Sequence, residues 1–146
     1  MKGDLVSAAI HVEAKSSRMS GSILPMKWFV KARRQAEHRL PIVQFAFSQR
    51  HAGCDLVCLR WWFVRYDRSS AAAVRAAFGV SSPEATVRVN QLTQYAAVAR
   101  EWNAIERDAV RGVFEHVVLR DGSLWLVVPE HLMTKERIAL LSKGDQ

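Results

Sequence analysis

Residues 11–15 read "HVEAK", and they set a carboxylate and an ammonium two apart, Glu13 and Lys15, at the end of a short apolar run. In a β-strand, alternate residues share a face. Asp4 stands nine residues before Glu13, in "GDL" near the start of the preceding apolar segment. A tight bend around 7–9 brings Asp4 and Glu13 together across adjacent strands. Two carboxylates and a lysine converging at a strand end suit metal-dependent phosphodiester hydrolysis. With a main-chain carbonyl such as that of Ala14, the carboxylates can hold Mg²⁺ or Mn²⁺. The ion polarises the phosphate and lowers the pKa of a bound water. A lysine beside it orients that water and stabilises charge on pentavalent phosphorus. The plain alternative for Glu-x-Lys is a solvated strand end carrying a weak surface ion pair.

The elements that must position these residues are readable in outline. Residues 4–15 form one or two short strands, and "SSRMSGS" is a loop with turn chemistry. A helix is expected over 22–39, capped by Ser22 with Pro25 in its first turn. Trp28, Phe29, Ala32 and Ala36 give it an apolar face, flanked by a basic stripe of Lys27, Lys31, Arg34 and His38. "LPIVQFAF", 40–47, is a β-branched and aromatic strand. "DLVCLRWWFVRY", 55–66, is a longer strand, apolar on both faces, and so central in a sheet or part of an interface.

The order of "GDL", "HVEAK", helix, "LPIVQFAF" and strand resembles the core of the PD-(D/E)XK nuclease superfamily over residues 3–66. It is most similar to the phage and archaeal-type Holliday junction resolvases. The resemblance implies a restriction-endonuclease-like mixed sheet with a covering helix. It implies Asp4 and Glu13 as metal carboxylates, Lys15 as the catalytic lysine and Gln35 as the polar residue that many members carry on the following helix. It further implies DNA as substrate, Mg²⁺ or Mn²⁺ as cofactor, and a homodimer. The family's usual N-terminal helix, with another glutamate, has no counterpart before Gly3.

After "DRSS", 67–70, the pattern changes. "VRAAFGVSSPEATVRVNQL", 74–92, resembles a helix-turn-helix. Val74 and Phe78 pack its first helix, Gly79 turns the chain, and Ala85, Val89 and Leu92 seat the second. Ser82, Glu84, Thr86, Arg88 and Gln91 then face outward, where they can reach base edges. Helix continues to about Val110. Residues 113–128 form a hairpin around Asp121-Gly122, a type I′ signal, and an amphipathic helix follows. The expected fold is therefore α/β: a nuclease-like core over 1–68 and a mostly helical extension over 69–146, with the hairpin as a wing.

Bulk properties agree with a nucleic-acid partner. The net charge is +7. Residues 1–68 hold twelve Lys/Arg against five Asp/Glu, and 69–146 hold nine against nine, so the whole excess lies in the first half. A localised basic excess suits a phosphate-bearing partner, with Lys27, Lys31, Arg33, Arg34 and Arg88 as the candidate DNA contacts. The apolar runs are far shorter than the roughly 18 residues of a membrane span. No signal-peptide h-region follows Lys2, so a cytoplasmic location is expected. Cys54 and Cys58, four apart in extended chain, are about 13 Å apart and read as buried thiols, not as a disulfide; with His51 they lack a fourth zinc ligand. Two alternatives to the nuclease stay open. One is a non-catalytic helix-turn-helix regulator; the other is a small interaction module using an exposed Trp61/Trp62 face.

Overall fold

The computed structural model describes residues 5–6, 9–18, 26–50, 56–79, 104–119 and 121–143, with backbone only at 5–6, 15–18, 46–50 and 56–59. Strands β1 (Leu5–Val6) and β2 (Ile10–Arg18) are followed by helix α1 (Met26–Ala36), then β3 (Leu40–Arg50) and β4 (Leu56–Arg65). Helix α2 (Ala71–Phe78) comes next, then a helical stretch, α3 (104–110), strands β5 (Glu115–Val118) and β6 (Leu124–Pro129), a 3₁₀ turn, and α4 (Lys135–Lys143).

The strands make one six-stranded mixed sheet in the order β1-β2-β3-β4-β6-β5. Only β2 and β3 run parallel, because α1 crosses over between them; the other pairs are antiparallel. The fold class is α/β, and 10–15, 42–47 and 56–65 share the sheet as expected. β4 is internal, which explains its apolar character on both faces. On one face Phe29 and Ala32 of α1 pack with Val43, Phe45, Trp61, Phe63, Trp125 and Val127. On the other, Val74, Ala77 and Phe78 of α2 and Leu141 of α4 pack with Ile10, Val12, Ile42, Val64 and Leu126. Phe29 meets Phe63 and Trp125 edge-on at 5.4 and 5.0 Å between ring centroids, a geometry that adds about 0.5–1.5 kcal/mol per pair to simple burial.

Several expectations are corrected. The chain turn at 67–70 does not divide two sheets, since β6 pairs directly with β4, Trp61 opposite Pro129 through Arg65 opposite Trp125. The hairpin is thus part of the main sheet and is not a wing. Its turn is not a two-residue type I′ connection. Leu119 N–H donates to Ser123 O at 2.9 Å, closing a three-residue loop with Gly122 at φ 83°. Helix α1 stops at Ala36, not at residue 39, because Glu37 takes φ 57°. Arg39 then caps the helix end, its Nε and a terminal nitrogen donating to the carbonyls of Ala36 and Gln35. Trp61 and Trp62 are not an exposed face: they are 0% and 8% exposed, and the Trp62 indole donates to Glu130 Oε2 at 2.8 Å.

Candidate functional site

Glu13 is the fourth residue of β2, with its Cα opposite Val43 of β3. It lies on the sheet face that α1 covers, and it is 5% exposed. A buried carboxylate needs compensating charge or hydrogen bonds, and two elements supply them. Within β2, His11 shares the face by alternation, and its Nε2 lies 3.3 Å from Glu13 Oε2. From α1, the half-exposed Lys31 brings Nζ to 3.6 Å from Oε1. The crossover connection makes this meeting possible, because it lays α1 over the β2–β3 pair. The arrangement is a buried anion with a cation at one oxygen and an imidazole at the other.

The expected site residues fare differently. Asp4 and Arg88 lie outside the described residues, as does the helix-turn-helix after Gly79. Lys15 is in β2, its Cα opposite Phe45 and two residues past Glu13, and only its backbone is described. Gln35 is exposed on α1, one turn past Lys31, and its backbone carbonyl accepts from Arg39. Lys27 and Arg34 are exposed on the same helix. Arg33 pairs with Asp121 of the β5–β6 loop, so it ties α1 to the hairpin. Lys31, expected as a DNA contact, reaches Glu13. His11 was missed in the sequence because Glu-x-Lys drew attention past it; the same alternation that links 13 to 15 also links 11 to 13.

Among the described residues, no group of three or more His, Cys, Asp or Glu side chains is spaced to hold a metal. Glu13 and His11 contact each other at 3.3 Å, and Lys31 stands at the other carboxylate oxygen.

A cleft of about 590 Å³ opens beside the start of β2, lined in part by Ala9, Arg33, Arg39, Arg65 and Asp67. Glu13 and His11 do not line it. Its charges answer one another. Arg65 donates to the carbonyls of Tyr66 and Leu124 and lies 3.7 Å from Asp67. Burial, with Arg33 nearby, lowers the Arg65 pKa against the pull of Asp67. Burial pulls the Asp67 carboxyl up, but hydrogen bonds from Ser69 and Ser70 and the charge of Arg65 outweigh it and hold it below the usual range.

The chain matches no protein-family model, no curated protein and no solved structure. No helix among the described residues is long and apolar enough to cross a membrane.

Proposed function

We propose that the chain is a metal-dependent DNA endonuclease of the resolvase-like kind, acting in the cytoplasm as a homodimer. What supports the reading is the buried Glu13 carboxylate on β2, with the Lys31 ammonium of α1 at one oxygen and the His11 imidazole at the other. Asp4, the second carboxylate of this reading, lies outside the described residues. The sequence of an antiparallel pair, a crossover helix, a parallel strand and an antiparallel strand also follows the order that the nuclease resemblance implies.

Glu13 suits a cation. It is buried, and its Oε1 already faces a positive charge. Mg²⁺ keeps several waters and needs only one or two carboxylates, so Glu13, Asp4 and a main-chain carbonyl such as that of Ala14 suffice. When bound, the ion supplies Lewis-acid activation of the phosphate and of a water. Lys15, two residues along β2, is the residue assigned to steady that water and the developing charge. Lys27 and Arg34, exposed on α1, grip the DNA backbone.

Cleavage of a four-way DNA junction in Mn²⁺ tests the reading. Glu13→Ala and Asp4→Asn should abolish both cleavage and the rise in melting temperature that Mn²⁺ produces by linkage. Lys15→Ala should abolish cleavage and keep the Mn²⁺ effect. Folded protein that shows neither response to Mn²⁺ overturns it.

A further inference from the structure

We propose that the cleft beside the start of β2 is a binding site for a phosphate monoester, whose phosphoryl group is taken by Arg33, Arg39 and Arg65. The inference is independent of the metal-dependent reading, because Glu13 and His11 do not line this cleft.

The charge balance of the cleft carries it. Four cations line it, Arg33, Arg39, Arg65 and Lys143, against two carboxylates, Glu37 and Asp67. Arg33 pairs with Asp121, which stands outside the lining, and Arg65 lies 3.7 Å from Asp67. The pairing of the arginines stops there. Arg39 forms no ion pair with a carboxylate among the described residues; its Nε and Nη2 donate to the carbonyls of Ala36 and Gln35 at 3.0 and 2.8 Å. Asp67 is already committed, since its other oxygen accepts from Ser69 and Ser70. Even with Asp121 counted, the lining keeps a positive excess, and a concave wall concentrates that field on whatever enters.

The donors are set in advance. The Arg65 side chain is 16% exposed, and its Nη1 is held by the carbonyls of Tyr66 and Leu124. Arg39 is held in the same way at the end of α1. A guanidinium fixed by backbone acceptors loses little freedom when an anion arrives. These bonds leave Nη2 of Arg65, Nη1 of Arg39 and Nη2 of Arg33 without a partner among the described residues. Burial, and with it the like charge of Arg33, holds the Arg65 pKa below its ordinary value despite Asp67 and Asp121; an anion in the cleft offsets both. Three guanidiniums from α1, the turn after it and β4 suit a group with three terminal oxygens. A carboxylate has only two, and one arginine fork occupies both. The volume of about 590 Å³ is that of a small-molecule site, and Leu40, Pro41, Ala73 and Leu141 form an apolar wall for the organic part.

Calorimetric titration of the full chain in EDTA tests this apart from any metal. The probes are adenosine 5′-monophosphate, adenosine, inorganic phosphate and succinate. The expected result is saturable binding of the monophosphate, competition by inorganic phosphate, and no binding of adenosine. Arg39→Met should weaken the monophosphate about tenfold or more. Two exposed lining residues test the charge without touching an arginine: Ser69→Glu should weaken binding, and Glu37→Gln should strengthen it, each about fivefold. If Arg39→Met does not fold, these two decide. A DNA oligonucleotide with a 5′-phosphate, compared with its 5′-hydroxyl twin, separates the sources of the phosphate. Tighter binding of the phosphorylated strand, lost in Ser69→Glu, assigns the cleft to a nucleic-acid end; equal binding of the twins assigns it to a free small molecule. No binding of the monophosphate, equal binding of adenosine or succinate, or affinities unmoved by Ser69→Glu and Glu37→Gln would each overturn the proposal and leave the reading of Glu13 untouched.

Discussion

The ammonium of Lys31 stands 3.6 Å from Oε1 of Glu13, bridging α1 to β2 above a buried carboxylate. The lysine is half-exposed, so it can withdraw to solvent along its flexible stem. If Glu13 holds a divalent ion, as proposed, the lysine is a counter-ion that the metal must displace.

Lys31→Met should therefore do two opposite things. In EDTA it should lower stability by about 1 kcal/mol, because half of the pair is solvent-screened. In Mn²⁺ it should raise the metal-induced shift in melting temperature above that of the wild type, since the competitor is gone. A smaller Mn²⁺ shift in the variant contradicts the displacement.

Acid should destabilise the protein in two stages. His116 on β5 is 3% exposed, both ring nitrogens lack hydrogen-bond partners, and burial lowers its pKa. The unfolded chain then binds the extra proton more readily. His116 contributes stability above about pH 6.5, and that contribution falls as the pH drops through its unfolded value toward its folded one. His116→Leu should flatten urea-determined stability over this range. At lower pH, Asp67 and Asp121 take over. Burial raises both, but hydrogen bonds and nearby arginines outweigh it and hold both below the usual carboxylate range. Their contribution is complete above about pH 3.9 and is lost as pH falls toward their folded values.

Glu37 closes α1 in the left-handed region at φ 57°, a conformation that costs a residue with a β-carbon about 1 kcal/mol. Glu37→Gly should raise stability by about 0.5–1 kcal/mol, read as a higher urea midpoint with an unchanged m-value.

Arg137 of α4 holds its guanidinium 5.4 and 5.2 Å from the rings of Phe78 and Phe114, and donates to the carbonyls of Ala77 and Leu132. The planar fork serves four partners at once, which a lysine cannot do. Arg137→Lys should cost about 2 kcal/mol in chemical denaturation. A cost near zero would mean that α4 is held by its apolar residues alone.

Lys27 and Arg34, exposed on α1, should govern the salt dependence of DNA binding. If each meets a phosphate, Lys27→Gln and Arg34→Gln should each reduce the slope of log affinity against log salt by roughly 0.9. Fluorescence anisotropy across a salt series measures it; an unchanged slope moves the DNA to another surface.

The strands were legible because their signal is local. Ile42, Val43 and Phe45, like the run from Trp61 to Val64, are apolar whichever neighbour they pair with. The end of α1 was less so, since Arg34 to His38 continue the helical stripe and only the backbone of Glu37 breaks it. The burial of Trp61 and Trp62 depends on β6 and Glu130, more than sixty residues away, and no local pattern reports such a pairing. The spacing of charge draws attention to Glu13, whereas His11, an imidazole in an apolar strand, resembles an ordinary core residue until its contact with Glu13 is seen.

The direct pairing of β6 onto β4 has a consequence for synthesis. Until residues 124–129 leave the ribosome, β4 presents an open row of backbone donors and acceptors beside Trp61, Trp62 and Phe63. At 5–20 residues per second, the interval between Arg65 and Pro129 is roughly 3–13 s. During that time the nascent chain carries a long apolar edge of the kind that templates intermolecular pairing. Its yield in a cell should therefore depend on chaperone supply more than on the stability of the finished fold.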